Sequence, residues 1–492
     1  MQPKPSQGNS PSGCDPSASV SLSTEPILGS LVKRDASYRT VALVISCALF
    51  MESLNATVLA TALPSMARDL GVLPSEMGVA ISAYLMALAI FIPASGALAD
   101  RFGAKTTFQC AIAIFVLTSV FCGLTNSLAA LMLARLGQGI GGAMIISVGR
   151  LIMLRSVAKH NMLTAMAWMM VPAMIGPIIG PPFGGLIVDW FNWRWIFWLN
   201  VPIGVLGLIL AERFFIDWRC PSPPPFDVKG FALSATALAC LLGGFELIGR
   251  QGAAVNATLM VIAGLGISAL YLSHAKVTEN AILDLSLVRI PTFRLSMIGG
   301  SLTRITQGAQ PFLLPLMLQL GFGMSPAQSG FLTIATALGA LGMKGLAQTI
   351  LRRYGFRSSL IFIGILAAGG FAVCGFFRPG WPLSMIFAVL VVSGFAMSFQ
   401  FTAYNTIAFD DVDPARLSSA TSFYSTFQQF TLATGVCVGG IALHVSMALN
   451  DRKIVSLGDF SAAWWTVTAI SLLAVFANAR FDRQAGEKLI TK

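Results

Sequence analysis

Gly96-Ala97-Leu98-Ala99-Asp100-Arg101-Phe102-Gly103-Ala104-Lys105 is the stretch on which the reading of this chain turns. It lies between two apolar runs, 77–99 and 106–125. Each run is long enough to cross a hydrocarbon core roughly 30 Å thick as a helix. The glycines Gly96 and Gly103 allow close backbone approach and a tight turn, and Asp100, Arg101 and Lys105 can form a polar latch at the membrane surface. A basic loop that only sets topology is the plainer reading. The pattern recurs: 252 residues later the chain reads Arg352-Arg353-Tyr354-Gly355-Phe356-Arg357. The same offset carries the first five apolar runs onto the ninth to the thirteenth. Two six-helix halves around an extra helix pair is the economical reading, and parallel repeats of this kind mark transporters.

Composition supports lipid as the main solvent. Of 492 residues 55% are hydrophobic and 11% charged, against about 25% charged in soluble proteins. Backbone groups in lipid must pair within the segment, so the runs are helices, and no alternating pattern of a barrel is present. Fourteen are expected, near 40–63, 77–99, 106–125, 128–150, 163–187, 196–216, 229–249, 254–274, 295–320, 328–350, 358–377, 382–407, 417–447 and 460–479. The predicted fold is therefore an all-α membrane protein. Its parts are a Ser/Pro/Gly-rich tail at 1–39, a six-helix bundle at 40–216, an inserted pair at 229–274, a second bundle at 295–479 and a tail at 480–492.

The net charge of +11 does not form a basic surface for nucleic acid. Twenty-three of the 32 basic residues fall on the tails and on loops that share their side. Six fall on the other side, and Arg135, Arg304 and Lys344 lie within helices. That bias places both termini in the cytoplasm of a multi-pass inner-membrane protein. The eight cysteines and three histidines have no metal-ligand spacing. No lysine stands in a G-x-x-x-x-G-K-[ST] context, and neither H-E-x-x-H nor G-x-S-x-G occurs, so neither ATP binding nor an enzyme is expected. Neither a metal nor an organic cofactor is implied.

Two helices carry candidate chemistry. The fourth reads Arg135-Leu136-Gly137-Gln138-Gly139-Ile140-Gly141-Gly142, and an arginine within a membrane helix must be paired or hydrated. It is either a functional group or a structural one, held by a salt bridge or by hydrogen bonds to backbone carbonyls. In the fifth, Gly176, Gly180 and Gly184 share one face beside Pro177, Pro181, Pro182 and Gly185. Proline removes backbone hydrogen bonds, and a bend beside a glycine face offers a place for two halves to rock against each other.

The loop at 96–105 resembles the loop signature of the major facilitator superfamily, and the likeness extends over nearly the whole chain after residue 40. The helix-four motif is similar to that family's R-x-x-Q-G-x-G, whose arginine is implicated in proton coupling. Helix five resembles G-x-x-x-G-P-x-x-G-G of antiporter members. Glu52 to Pro64 is similar to the helix-one signature of the fourteen-helix drug:proton antiporters, the EmrB/QacA group. Trp193-Arg194-Trp195-Ile196-Phe197 with Asn200 and Pro202 matches that group's approach to helix six.

The resemblance implies proton-coupled efflux of small organic compounds by alternating access. The departures matter. Asn55 stands where the group has an aspartate, so Glu52, three residues earlier on nearly the same face, becomes the candidate proton carrier, at a depth similar to Arg135. Asn55, Gln138, Arg304, Lys344, Tyr404 and Asn405 are the candidate cavity residues. Arg304 and Lys344 are unusual in a pocket for lipophilic cations and motivate an alternative, export of an anionic metabolite such as an organic acid. Glu246 on helix seven is a possible second proton site, expected at the outer rim because the inserted pair looks peripheral. Protons, a small solute and lipid are the expected partners, and a monomer is compatible with the sequence.

Overall fold

The computed structural model describes residues 38–157, 162–216, 219, 225–248, 252–278, 281–413, 416–482 and 485–486. The predicted tail lies outside them as far as residue 37. The helices are α1 (Tyr38–Leu70), α2 (Gly78–Phe102), α3 (Ala104–Leu124), α4 (Leu128–Ser156) and α5 (Met162–Trp190). They continue with α6 (Trp195–Phe214), α7 (Val228–Leu247), α8 (Ala254–Val277) and α9 (Pro291–Leu316). The continuous run Pro326–Gly375 breaks at Gly355 into α10 (326–354) and α11 (356–375). It is followed by α12 (Leu383–Ile407), α13 (Leu417–Leu449) and α14 (Leu457–Asn478). Fourteen long helices result among the described residues, each with ends within seven residues of its predicted run. By length and apolarity, 11 runs among the described residues qualify as membrane spans, the broken one included.

The repeat has a backbone signature. Gly103, between α2 and α3, has φ 99°, and Gly355, 252 residues later, has φ 72°. Both lie in the left-handed region that favours glycine, so the two loops turn alike although their charges differ.

α1 packs on α5, α2 and α3 on α4, and α3 on α6, which gives the first bundle; α9 packs on α13 and α14, and α12 on α10–α11, which gives the second. The bundles meet along two seams, α5 against α10 and α2 against α13. We call the face where α1 begins proximal and the face where it ends distal. Near the distal face the seams are closed. Asp189 Oδ2 at the end of α5 accepts from Ser325 Oγ (2.9 Å) and the Ala327 N–H (3.1 Å), and Gln319 Nε2 donates to Thr61 O of α1 (2.9 Å).

The α5 glycines are divided between two neighbours. A Cβ at Gly176 would lie 2.9 Å from the Leu54 nitrogen, one at Gly184 2.7 Å from Val58 Cγ1, and one at Gly180 would strike Thr57 Oγ1. That face therefore seats α1 of the same bundle, which corrects its expected place between the halves. Gly185 faces the opposite bundle: its Cβ would strike the Pro326 carbonyl of α10, and a Cβ at Gly330 would strike the Pro181 carbonyl in return. Tight packing between α5 and α10 rests on this pair, because only a residue without a Cβ lets the backbones approach so closely.

The inserted pair is also placed differently from expectation. α7 lies against both α2 and α13, where Leu242 and Phe245 pack with Leu85, Met86, Phe430 and Ala433. Glu246 Oε2 accepts from Ser82 Oγ of α2 (3.2 Å) and Cys437 Sγ of α13 (3.4 Å). It thus lies at the seam between the bundles and not on an outer rim. The apolar groove between α2 and α13 is what draws α7 inward. At its start Asp227 caps α7 by accepting from the Gly230 N–H (2.8 Å), and His274 Nε2 of α8 lies 2.8 Å from the same oxygen. Burial alone would raise the Asp227 carboxyl. The Gly230 N–H, His274 and the Ile282 N–H outweigh that and hold it below the usual carboxylate range.

Candidate functional site

Two buried charged side chains of the first bundle, those of Glu52 and Arg135, meet at Tyr84 of α2. Ser127 caps α4 by accepting from the Ala130 N–H, so that Arg135 falls roughly 11 Å along the helix from its distal start. Arg135 is buried, and its Nε donates to Ala80 O (2.9 Å) and its Nη1 to Gln138 Oε1 (2.8 Å). Its guanidinium lies 4.5 Å from the centre of the Tyr84 ring. The glycines of the helix-four motif make room for this ring: a Cβ at Gly142 would lie 2.9 Å from the Tyr84 hydroxyl, and one at Gly139 would strike the Tyr84 carbonyl.

Tyr84 Oη in turn donates to Glu52 Oε1 at 2.7 Å, and Ser53 Oγ donates to Oε2 at 3.3 Å. Glu52 is 9% exposed and Arg135 1%. No ion pair joins them among the described residues. The tyrosine stands between acid and base, touching one by its hydroxyl and the other by its face. Glu52 is a carboxylate held by neutral donors within reach of a fixed cation's field, a group able to change its protonation without breaking a salt bridge.

Gln138 and Asn55 belong to the bundle interior. Gln138 Nε2 donates to Ser119 Oγ (2.6 Å), and Asn200 Nδ2 donates to Ser119 Oγ (3.3 Å) and Asn55 Oδ1 (3.2 Å). A polar chain thus runs from Glu52 through Tyr84, Arg135, Gln138, Ser119 and Asn200 to Asn55. Asn55 therefore ties α1 to α6, and Gln138 orients Arg135.

In the second bundle Tyr404 is buried and donates to Asn478 Oδ1 of α14 at 2.6 Å, a tie within that bundle. Asn405 Nδ2 donates to the Phe401 carbonyl one turn back (2.7 Å). Lys344 is exposed on α10, its Nζ 2.7 Å from Met174 Sδ of α5. Arg304 is buried in α9, face-on to Tyr424 at 4.5 Å.

At the proximal end the loop charges pair inside the first bundle. Asp100 meets Arg155 of α4 at 3.0 Å, Lys105 meets Glu212 of α6 at 2.9 Å, and Arg101 is exposed. Gly96, Gly342 and Gly345 have open space where a Cβ would stand. The proximal ends of the α2 and α10 faces are therefore uncovered, in contrast to the closed distal seams.

The Major Facilitator Superfamily model matches residues 45–300 and 296–491. The chain belongs to the major facilitator superfamily. It is 36% identical to the "Putative multidrug resistance protein MdtD" of Escherichia coli O6:H1 over 452 residues, 89% of this chain and 93% of that protein. The protein of the same name from Salmonella typhimurium is 36% identical over 461 residues, 91% of this chain and 96% of that one. Among solved structures the peptide transporter PepTSo aligns with a TM-score of 0.67 at 13% identity, over 92% of this chain and 99% of that one. The D-xylose-proton symporter aligns at 0.63 and 14%, over 90% and 97%. Those two likenesses concern the fold.

This major facilitator protein is thus a multi-pass membrane transporter, and not an enzyme. Within it, the sequence pointed to Glu52, Arg135 and Gln138 but missed Tyr84 and Ser119, and took Asn200 only as part of a motif. One signal was available: Tyr84 places a hydroxyl in the middle of an apolar run, where it needs a buried partner.

Proposed function

We propose that this chain exports small organic compounds of the multidrug type across a bacterial inner membrane, with both termini in the cytoplasm, driven by inward proton flow through alternating access. The observation that carries the reading is the Glu52–Tyr84–Arg135 assembly. Glu52 takes up a proton when the site faces the distal, external side. It releases the proton when the site faces the proximal, cytoplasmic side, and the positive charge of Arg135 favours that release. The solute occupies the space between the bundles and moves the opposite way. Closed distal seams with uncovered proximal faces support this scheme, since an exporter loads its cargo from the cytoplasm. The loop at Asp100, Arg101 and Lys105, with Gly96 and Gly103, acts as the proximal latch: Gly96 is free to receive the opposite bundle when that face closes. The multidrug name of the MdtD relatives supports the substrate range.

The test uses protein in proteoliposomes with ethidium as the transported probe. Glu52→Gln abolishes transport driven by a pH gradient but retains ethidium counterflow, because exchange needs no net proton movement. Gradient-driven transport by that variant at the normal rate would remove Glu52 from the coupling step.

A further inference from the structure

Among the described residues two arginines, Arg135 and Arg304, are buried in helices, and they are held differently. Arg135 has a backbone carbonyl and an amide oxygen as acceptors, and Glu52 lies behind Tyr84. Arg304 is 3% exposed, and its Nε and Nη2 are buried without a hydrogen-bond partner. No carboxylate pairs with it among the described residues. What surrounds the guanidinium is aromatic: the Tyr424 ring at 4.5 Å and the Phe401 ring at 5.8 Å. Ring faces attract a cation, but they return less than burying a guanidinium costs. The backbone is shaped to this group, since a Cβ at Gly300, one turn earlier, would lie 2.9 Å from Nη1.

The repeat sharpens the contrast. The 252-residue offset that carries Gly103 onto Gly355 also carries Glu52 onto Arg304. The first helix of each bundle therefore holds a buried ionisable residue at the same position, an acid in one half and a base in the other. The acid has its donors, whereas two N–H groups of the base, on Nε and Nη2, lack an acceptor although the Tyr424 hydroxyl lies beside the guanidinium.

Depth and access narrow the ligand. Arg304 lies roughly 20 Å along α9 from its proximal end, beyond the reach of lipid headgroups. Phe401 beside it is 39% exposed. α12 links the two cations of this bundle: Gln307 of α9 donates to the Met397 carbonyl (3.0 Å), and Ser398 Oγ donates to the Ala340 carbonyl of α10 (3.3 Å). Arg304 and Lys344 each lie about one turn proximal of those contacts. They therefore flank α12 at a common level, and Lys344 also has no carboxylate partner among the described residues.

We propose that Arg304 binds an anionic group, a carboxylate or sulfonate, on an aromatic solute. Its planar N–H fork receives the anion, the Tyr424 and Phe401 rings receive the apolar body, and Lys344 adds positive potential on the proximal approach. The assignment rests on the transport reading above and adds anionic aromatic solutes to its range of cargo.

The test is equilibrium binding to the purified full-length chain in lipid nanodiscs, by titration calorimetry without a gradient. The probes are benzenesulfonate, neutral benzamide and inorganic sulfate. Wild type binds benzenesulfonate and not benzamide, and Arg304→Gln weakens binding at least about tenfold, with partial recovery in Arg304→Lys. Should Arg304→Gln fail to fold, Gly300→Ala serves instead: its methyl displaces the guanidinium and weakens binding several-fold. Equal binding of benzenesulfonate and benzamide, or unchanged binding in both variants, overturns the proposal. Sulfate binding as tight as benzenesulfonate overturns the organic class. Because no proton movement is measured, loss of this site leaves the coupling scheme intact, and failure of the Glu52 test leaves this site intact.

Discussion

Asn200 shows how much of the site depends on uncharged groups. Its Nδ2 donates to both Ser119 and Asn55, which connects α6 to α3 and α1. Asn55 Nδ2 is already buried without a partner, so it depends on that bond for its oxygen. Asn200→Ala strands the Asn55 oxygen in a dry interior and costs about 1–3 kcal/mol. It also leaves Ser119, and through it Gln138 and Arg135, less well oriented. The expected outcome is a lower thermal midpoint for the detergent-solubilised protein, together with slower export. An unchanged midpoint would mean that the polar chain is a row of independent contacts. Asn55 itself, the residue that departs from the group's aspartate, is part of the packing between α1 and α6.

At the scale of elements, α5 has two glycine faces with two different consequences. Gly180→Leu drives a side chain into Thr57 of α1, within a bundle that has no freedom to open, so it should destabilise the fold as other overpacking does. Gly185→Leu pushes instead against Pro326 of the opposite bundle, where the seam is expected to part in every cycle. It should leave the protein in the membrane at normal levels but oppose distal closure, and so abolish export. Membrane abundance and export measured side by side distinguish the two. Equal abundance of both variants would show that the α1 contact tolerates bulk. α7 is a third element whose place matters, because Glu246 accepts from both α2 and α13.

For the whole molecule, the distal seams make the alternating-access scheme testable in one step. Asp189 and Ser325 are 2.9 Å apart across the α5–α10 seam. With both replaced by cysteine in an otherwise cysteine-free chain, oxidation should link the bundles at the distal face, stop export and be reversed by reductant. Full export by the linked protein would mean that the bundles do not separate there. In that scheme no single residue would open the path: one bundle would have to tilt against the other.

Class, helix number and repeat were determined by the sequence itself, because each is a local property. An apolar run either is or is not long enough to span the bilayer, and the glycine at 103 and its counterpart at 355 turn their loops wherever the helices pack. The ionisable candidates were equally visible, since a charge within an apolar run stands out without any fold. Partners were decided only by the tertiary structure. Helical periodicity shows that Gly176, Gly180 and Gly184 share a face; that α1 covers it, and that Gly185 alone among them faces α10, depends on helices far apart in the chain. The same holds for Glu246, drawn into the α2–α13 groove, and for Tyr84, seated between Glu52 and Arg135. It holds most for the two buried arginines. They look alike in sequence, and only the packed structure separates Arg135, whose Nε and Nη1 have acceptors, from Arg304, whose Nε and Nη2 have none.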